Sequence, residues 1–121
     1  HIYKMIQKLM AGDSLSNNDI KLWLALIQEI YEVSKNRNTA LIIAYINGTE
    51  KELLETNWSN QQILNALRKS SDITVNVTLG EEDRKLKEKY YIHKLDEHPS
   101  AIANKERAKI LSTYIQRLKD S

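Results

Sequence analysis

The chain has 121 residues with 41% apolar and 28% charged side chains, which suits one globular domain with one core. It contains no Cys and no Phe, so disulfides, thiolate metal sites and a cysteine nucleophile are excluded, and Leu, Ile, Val, two Trp and six Tyr must fill the interior. The net charge of +2 is unevenly divided: residues 1–83 carry 8 basic and 11 acidic side chains, residues 84–121 carry 10 and 5, and a basic half of this kind suits an anionic partner or a well-solvated lysine-rich helix.

In chain order, Ile2, Met5, Ile6, Leu9 and Met10 follow a helical spacing that stops at Gly12. A polar linker, 13–18, ends at Asn18, the expected N-cap of an amphipathic helix carrying Ile20, Trp23, Leu24, Ile27, Ile30 and Tyr31. The polar stretch 34–38 is expected to interrupt it. The apolar run from Thr39 to Ile46 predicts a buried helix stopped by Gly48. Thr49 and Glu52 have capping-box spacing and open a short helix with Leu53 and Leu54. Ser59 caps the next, whose Ile63, Leu64 and Leu67 face inward, with Trp58 positioned as a hydrophobic staple.

From Ile73 to Leu79 apolar and polar residues alternate, a strand signature whose partner the sequence does not identify. Glu81-Glu82-Asp83 suits the start of a helix running to about Leu95, and Pro99 suits the first turn of a last helix with Ala108, Leu111, Tyr114, Ile115 and Leu118 as its apolar stripe. The expected fold class is all-α: one domain over 1–121, a compact bundle of about five to seven helices with one extended segment near 73–79. A first residue His1 fits a fragment of a longer chain, and no apolar run approaches the roughly 18–20 residues of a membrane span. A cytoplasmic protein without a membrane partner is expected.

The chemistry is defined mainly by exclusion. Gly12, Gly48 and Gly80 are too far apart for a phosphate-cradling loop. His93 and His98, with Asp96 and Glu97 between them, flank a predicted helix end and make a poor zinc set, so no metal site is expected. Glu81-Glu82-Asp83 serves a helix start, and Ser, His and Asp occur without a nucleophile elbow, so the chain is read as non-catalytic. Binding residues are better represented. Arg84, Lys85, Lys87 and Lys89 crowd one predicted helix that also carries Tyr90 and Tyr91, and cations interleaved with rings suit phosphates and unpaired bases. At most one of the two tyrosines should be buried. Arg37, between two asparagines and ahead of a predicted buried helix, could join that helix's free N–H groups on a phosphate, or be a surface arginine near a cap.

An amphipathic helix over 20–31, then Lys35-Asn36-Arg37-Asn38, then Ala40-Leu41-Ile42-Ile43-Ala44-Tyr45, resembles the helical domain that follows the catalytic core in primase-polymerases of archaeal plasmids and viruses. In that family an Arg-Asn or Arg-His pair precedes an apolar helix, a second helix follows (here Ser59 to Leu67), and an acidic stretch with an arginine leads a further one (here Asp72 and Glu81-Glu82-Asp83-Arg84). The resemblance covers roughly 20–92 and departs where Lys35-Asn36 replaces the family's Gly before the arginine. It implies a non-catalytic accessory domain that grips single-stranded DNA template and ATP or another nucleoside triphosphate, with any Mg²⁺ arriving on the nucleotide, beside a catalytic primase domain of the same parent chain. Arg37, Asn38 and Arg84, with the adjacent Lys35, are then the nucleotide-binding candidates. Lys85, Lys87, Tyr91 and Trp58 are DNA-binding candidates on their chemistry alone. The alternative is a helical protein-interaction module, such as a phage or plasmid regulator or an assembly adaptor. A nucleic-acid binder should lose affinity steeply with salt, whereas an adaptor with an apolar groove should not.

Overall fold

A computed structural model describes residues 14–80, 89–93 and 96–120. The expected helix over 2–10 and the acidic helix start at 81–83 lie outside the described residues. The chain divides into two compact units, His1–Ile43 with Asn47–Thr74 and Ala44–Ile46 with Val75–Ser121. The fold is mixed rather than all-α: among the described residues there are four helices, a parallel pair of strands and an antiparallel pair.

In the first unit, helix α1 spans Asn17–Asn36. Its cap is Ser16, two residues before the expected Asn18, because Ser16 and Asp19 satisfy each other reciprocally: the Asp19 N–H donates to Ser16 Oγ (3.1 Å) and the Ser16 N–H to Asp19 Oδ2 (2.8 Å). The helix ends inside the polar stretch expected to interrupt it, at Asn36. Ser34 Oγ donates back to the Ile30 carbonyl (2.9 Å), and Lys35 suits the last turn, where the helix dipole favours a cation. Arg37 is the C-cap, and Asn38 takes a left-handed φ of 53°, a conformation asparagine tolerates better than most residues.

After this turn the expected buried helix over 39–46 is absent, and β1 spans Ile42–Tyr45. Its partner is β2, Ile73–Asn76, which supplies the missing companion of the alternating segment. The Asp72 N–H donates to the Leu41 carbonyl (3.0 Å) and the Val77 N–H to that of Tyr45 (2.8 Å), so partners rise together along both strands and the pair is parallel. Asp72 Oδ2 also accepts from the Leu41 N–H (2.7 Å), closing the start of the pair. A parallel pair needs a crossover, and two helices provide it.

These are α2, Glu50–Leu53, and α3, Asn60–Lys69. Both start with the reciprocal caps their sequences specify, Thr49 with Glu52 and Ser59 with Gln62. Gly48, expected to stop a helix, instead lies in the connection from β1. Its N–H donates to Asn60 Oδ1 (2.8 Å) and its carbonyl accepts from Asn60 Nδ2 (3.1 Å). A Cβ there would meet Leu53 Cγ at 3.1 Å, so the Leu53 side chain would have to give way by a few tenths of an ångström. On α3, Ile63, Leu64 and Leu67 are buried as their spacing predicts, and with Ile20 they form the core of this unit. Leu53 is half-buried, whereas Leu54 is exposed. Ser71 Oγ donates to the Leu67 carbonyl (2.8 Å) and bonds Thr74 Oγ1 (2.6 Å), so the two buried hydroxyls leading into β2 are satisfied.

The second unit buries Tyr45, Val75, Val77, Tyr90 and Ala103. The helix expected to reach Leu95 gives way to β3, Tyr91–His93, paired antiparallel with β4, Asp96–Pro99, with an irregular register between Tyr91 and His93. Tyr91 and Ile92 are aromatic and β-branched, types that fit a strand better than a helix. Pro99 ends β4 opposite Tyr91, a position proline tolerates at a sheet margin, instead of opening a helix. Helix α4 then spans Ala101–Asp120 and is capped by Ser100, whose Oγ accepts from the Ala103 N–H (3.1 Å). Ser100 N–H donates to the Tyr90 carbonyl (2.7 Å) and Ser100 Oγ to that of Lys89 (3.0 Å), fixing the helix start beside β3.

Candidate functional site

Of the residues expected to hold nucleotide, Lys35, Arg37 and Asn38 lie together at the C-terminal end of α1, and all three are exposed. This reverses the geometry expected for Arg37. Ahead of a helix it would share the positive N-terminal end and its free amides, whereas a C-terminus presents carbonyls and a partial negative charge. The local amides are engaged: Arg37 N–H donates to the Val33 (3.2 Å) and Ser34 (3.1 Å) carbonyls, Asn38 N–H to Lys35 (3.1 Å) and Thr39 N–H to Ser34 (2.9 Å). The Lys35 ammonium lies 4.5 Å from the centroid of the Tyr31 ring, a cation–π contact within its own helix. The apolar helix that the primase-polymerase resemblance puts after Arg37-Asn38 is strand β1, so that part of the motif carries no helix N-terminus.

The other candidates are dispersed. Trp58 is half-buried ahead of cap Ser59, its N–H donating to Thr56 Oγ1 (3.2 Å), in keeping with a structural staple position. Tyr91 is half-buried in β3 and Tyr90 is buried, so one ring of the pair lies in the core. Lys89 is exposed, its ammonium 5.3 Å from the Tyr90 ring centroid. Arg84, Lys85 and Lys87 lie outside the described residues. Among the described residues no group of three or more His, Cys, Asp or Glu side chains gathers as a metal set, and no helix is long and apolar enough to cross a membrane.

The largest departure from expectation lies on α4. Ala108, Leu111, Tyr114, Ile115 and Leu118 were expected to form one apolar stripe of the last helix, and in this 20-residue helix only Ala103 is buried. Leu111 and Ile115 are half-buried, Ala108 is exposed, and Tyr114 and Leu118 are 39% and 37% exposed. The N-terminal part of the helix is held by Ser100 and by Arg107, whose Nε donates to the Val77 carbonyl (3.3 Å). Beyond it, the helix presents a line of residues alternating three and four apart: Asn104, Ala108, Leu111, Ile115 and Leu118. This is the spacing of a helix–helix seam, with Ala108 and Ile115 at one heptad position and Leu111 and Leu118 at the other. Its legible signal in the sequence was the stripe itself; what the sequence did not show was that the described residues cover the stripe only in part.

Compared with models of protein families, with curated proteins and with solved structures, the chain finds no match.

Proposed function

We propose that this chain is a non-catalytic docking domain that holds a protein partner along α4. The observation that carries the reading is a 20-residue helix with a heptad-spaced apolar face and a single buried residue. An exposed apolar face of this kind is costly in water unless it is used, and helices bind helices through such faces. Half-buried Leu111 and Ile115 give the seam a floor, while Tyr114 and Leu118 keep 39% and 37% of their surface in solvent.

A synthetic amphipathic helix with Leu and Ile at its seam positions should bind the whole chain with an affinity that changes little with salt. Leu118→Ala should weaken that binding about two- to sixfold, since covering the 37% of Leu118 that is exposed contributes about 0.5–1 kcal/mol. Because Leu118 is partly covered by its own chain, circular dichroism of the variant checks that the fold is kept. Unchanged affinity in the variant, or no binding to the parent chain, would contradict the reading.

A second reading is favoured by charge: residues 84–121 hold 10 basic against 5 acidic side chains. That excess suits single-stranded DNA in a replication protein, with ATP as a further ligand and a catalytic primase domain as neighbour in the parent chain. On this reading a labelled oligonucleotide should bind and should dissociate steeply as salt rises.

A further inference from the structure

The charges along α4 are sorted relative to its seam. Lys105 and Lys119 fall at the heptad positions beside one edge, both exposed, and Arg107 falls beside the other. The two acids of the helix, Glu106 and Asp120, project from the side opposite the seam. Glu106 is engaged there with Lys109, Oε1 to Nζ 3.7 Å. Arg117 lies 5.1 Å from the Tyr114 ring centroid, adding a further cation near the second edge. Every charged residue bordering the apolar line is therefore basic.

This arrangement discriminates among occupants. A second copy of the chain would bring no carboxylate to Lys105, Arg107 or Lys119, and docked antiparallel it would set Lys105 against Lys119, where like charges oppose association. A helix with an apolar seam and glutamates or aspartates at its edges would meet the leucines with its own apolar line and the lysines with opposite charge. We infer that the partner of α4 is an amphipathic helix of another protein segment whose seam is bordered by carboxylates. The inference rests on the docking reading above and adds the chemistry of the partner.

The test uses the full chain and two synthetic peptides about three heptads long, with identical Leu/Ile seams and either Glu or Lys at every edge position. Both peptides repel their own copies, so each is offered as a monomer. The Glu-edged peptide should bind at least about tenfold more tightly than the Lys-edged one in moderate salt. The double substitution Lys105→Glu and Lys119→Glu should reverse that preference, and the exposure of both lysines spares the fold. Equal binding of the two peptides would overturn the inference while leaving a docking face. Binding of neither would overturn both. Sedimentation of the chain as a dimer that Leu118→Ala dissociates would overturn it in favour of a second copy. Displacement of the peptide by a single-stranded oligonucleotide whose binding the double substitution abolishes would overturn it in favour of nucleic acid.

Discussion

Replacing Leu67 with alanine should lower the stability of the protein by about 2–5 kcal/mol, the range measured when a fully enclosed leucine is truncated. Leu67 is fully buried, on the inward face of α3 beside Ile63 and Leu64. Its carbonyl also accepts from Ser71 Oγ and from the Ser70 N–H, so the backbone is held from two directions and cannot easily collapse into the void. The residual cavity therefore adds to the lost transfer energy. Against a typical domain stability of about 5–15 kcal/mol, the urea midpoint should fall by about 1 M or more. Leu54→Ala is the comparison: this side chain is 74% exposed, and its loss should stay within about 0.5 kcal/mol. Equal midpoints for the two variants would mean that α3 does not close a core through Leu67.

Val77→Pro should be the next most damaging change, and it tests the feature that separates this fold from a helical bundle. The Val77 N–H donates to the Tyr45 carbonyl at 2.8 Å in the parallel pairing, and Val77 is 2% exposed. Proline removes that donor and constrains φ while keeping an apolar side chain of similar bulk. Taking a donor from a buried carbonyl costs about 1–3 kcal/mol. Were residues 73–79 an extended connector lying on a bundle, proline there would be tolerated. Urea unfolding followed by circular dichroism decides the matter: a midpoint equal to that of the parent chain would rule out the pairing of β1 with β2.

The parts of the fold that could be read from the sequence are those specified within a few residues. Thr49 with Glu52 and Ser59 with Gln62 are reciprocal caps whose partners sit three positions apart, and both form as their spacing predicts. The inward set Ile63, Leu64 and Leu67 follows from helical period alone. The strand character of 73–76 was legible from alternation and β-branching. Its partner was not, because Leu41 and Asp72 meet across 31 positions and nothing local records that pairing. The run from Ala40 to Ile46 is apolar without period, a pattern that a short buried strand and a buried helix share. The presence of β2 selected the strand. The acids at 81–83 suggested a helix reaching about Leu95 and Pro99 the first turn of another, while Tyr91 and Ile92 carried the strand signal that prevailed.

The site divides in the same way. Lys35, Arg37 and Asn38 were found by motif, and the role given to them depended on a helix that would follow. With β1 in its place, their position at the end of α1 is explained by helix termination: a lysine in the last turn, a C-cap arginine and a left-handed asparagine. The stripe of α4 was visible as periodicity, but periodicity alone cannot tell a face that packs on its own domain from one kept for a partner. The docking reading draws that distinction from the partial exposure of Tyr114 and Leu118, and takes a chemical preference from the sorting of Lys105, Arg107 and Lys119 to the seam against Glu106 and Asp120 behind it.

The central claim, that α4 is the working surface, is tested most directly by following backbone amide NMR signals of the full chain during titration with the Glu-edged peptide and, separately, with a single-stranded oligonucleotide and ATP. The peptide should shift the amides of 104–119 and leave Lys35, Arg37 and Asn38 unmoved. Shifts at Lys35, Arg37 and Asn38 with oligonucleotide or ATP, together with an unperturbed α4 in the presence of peptide, would contradict it.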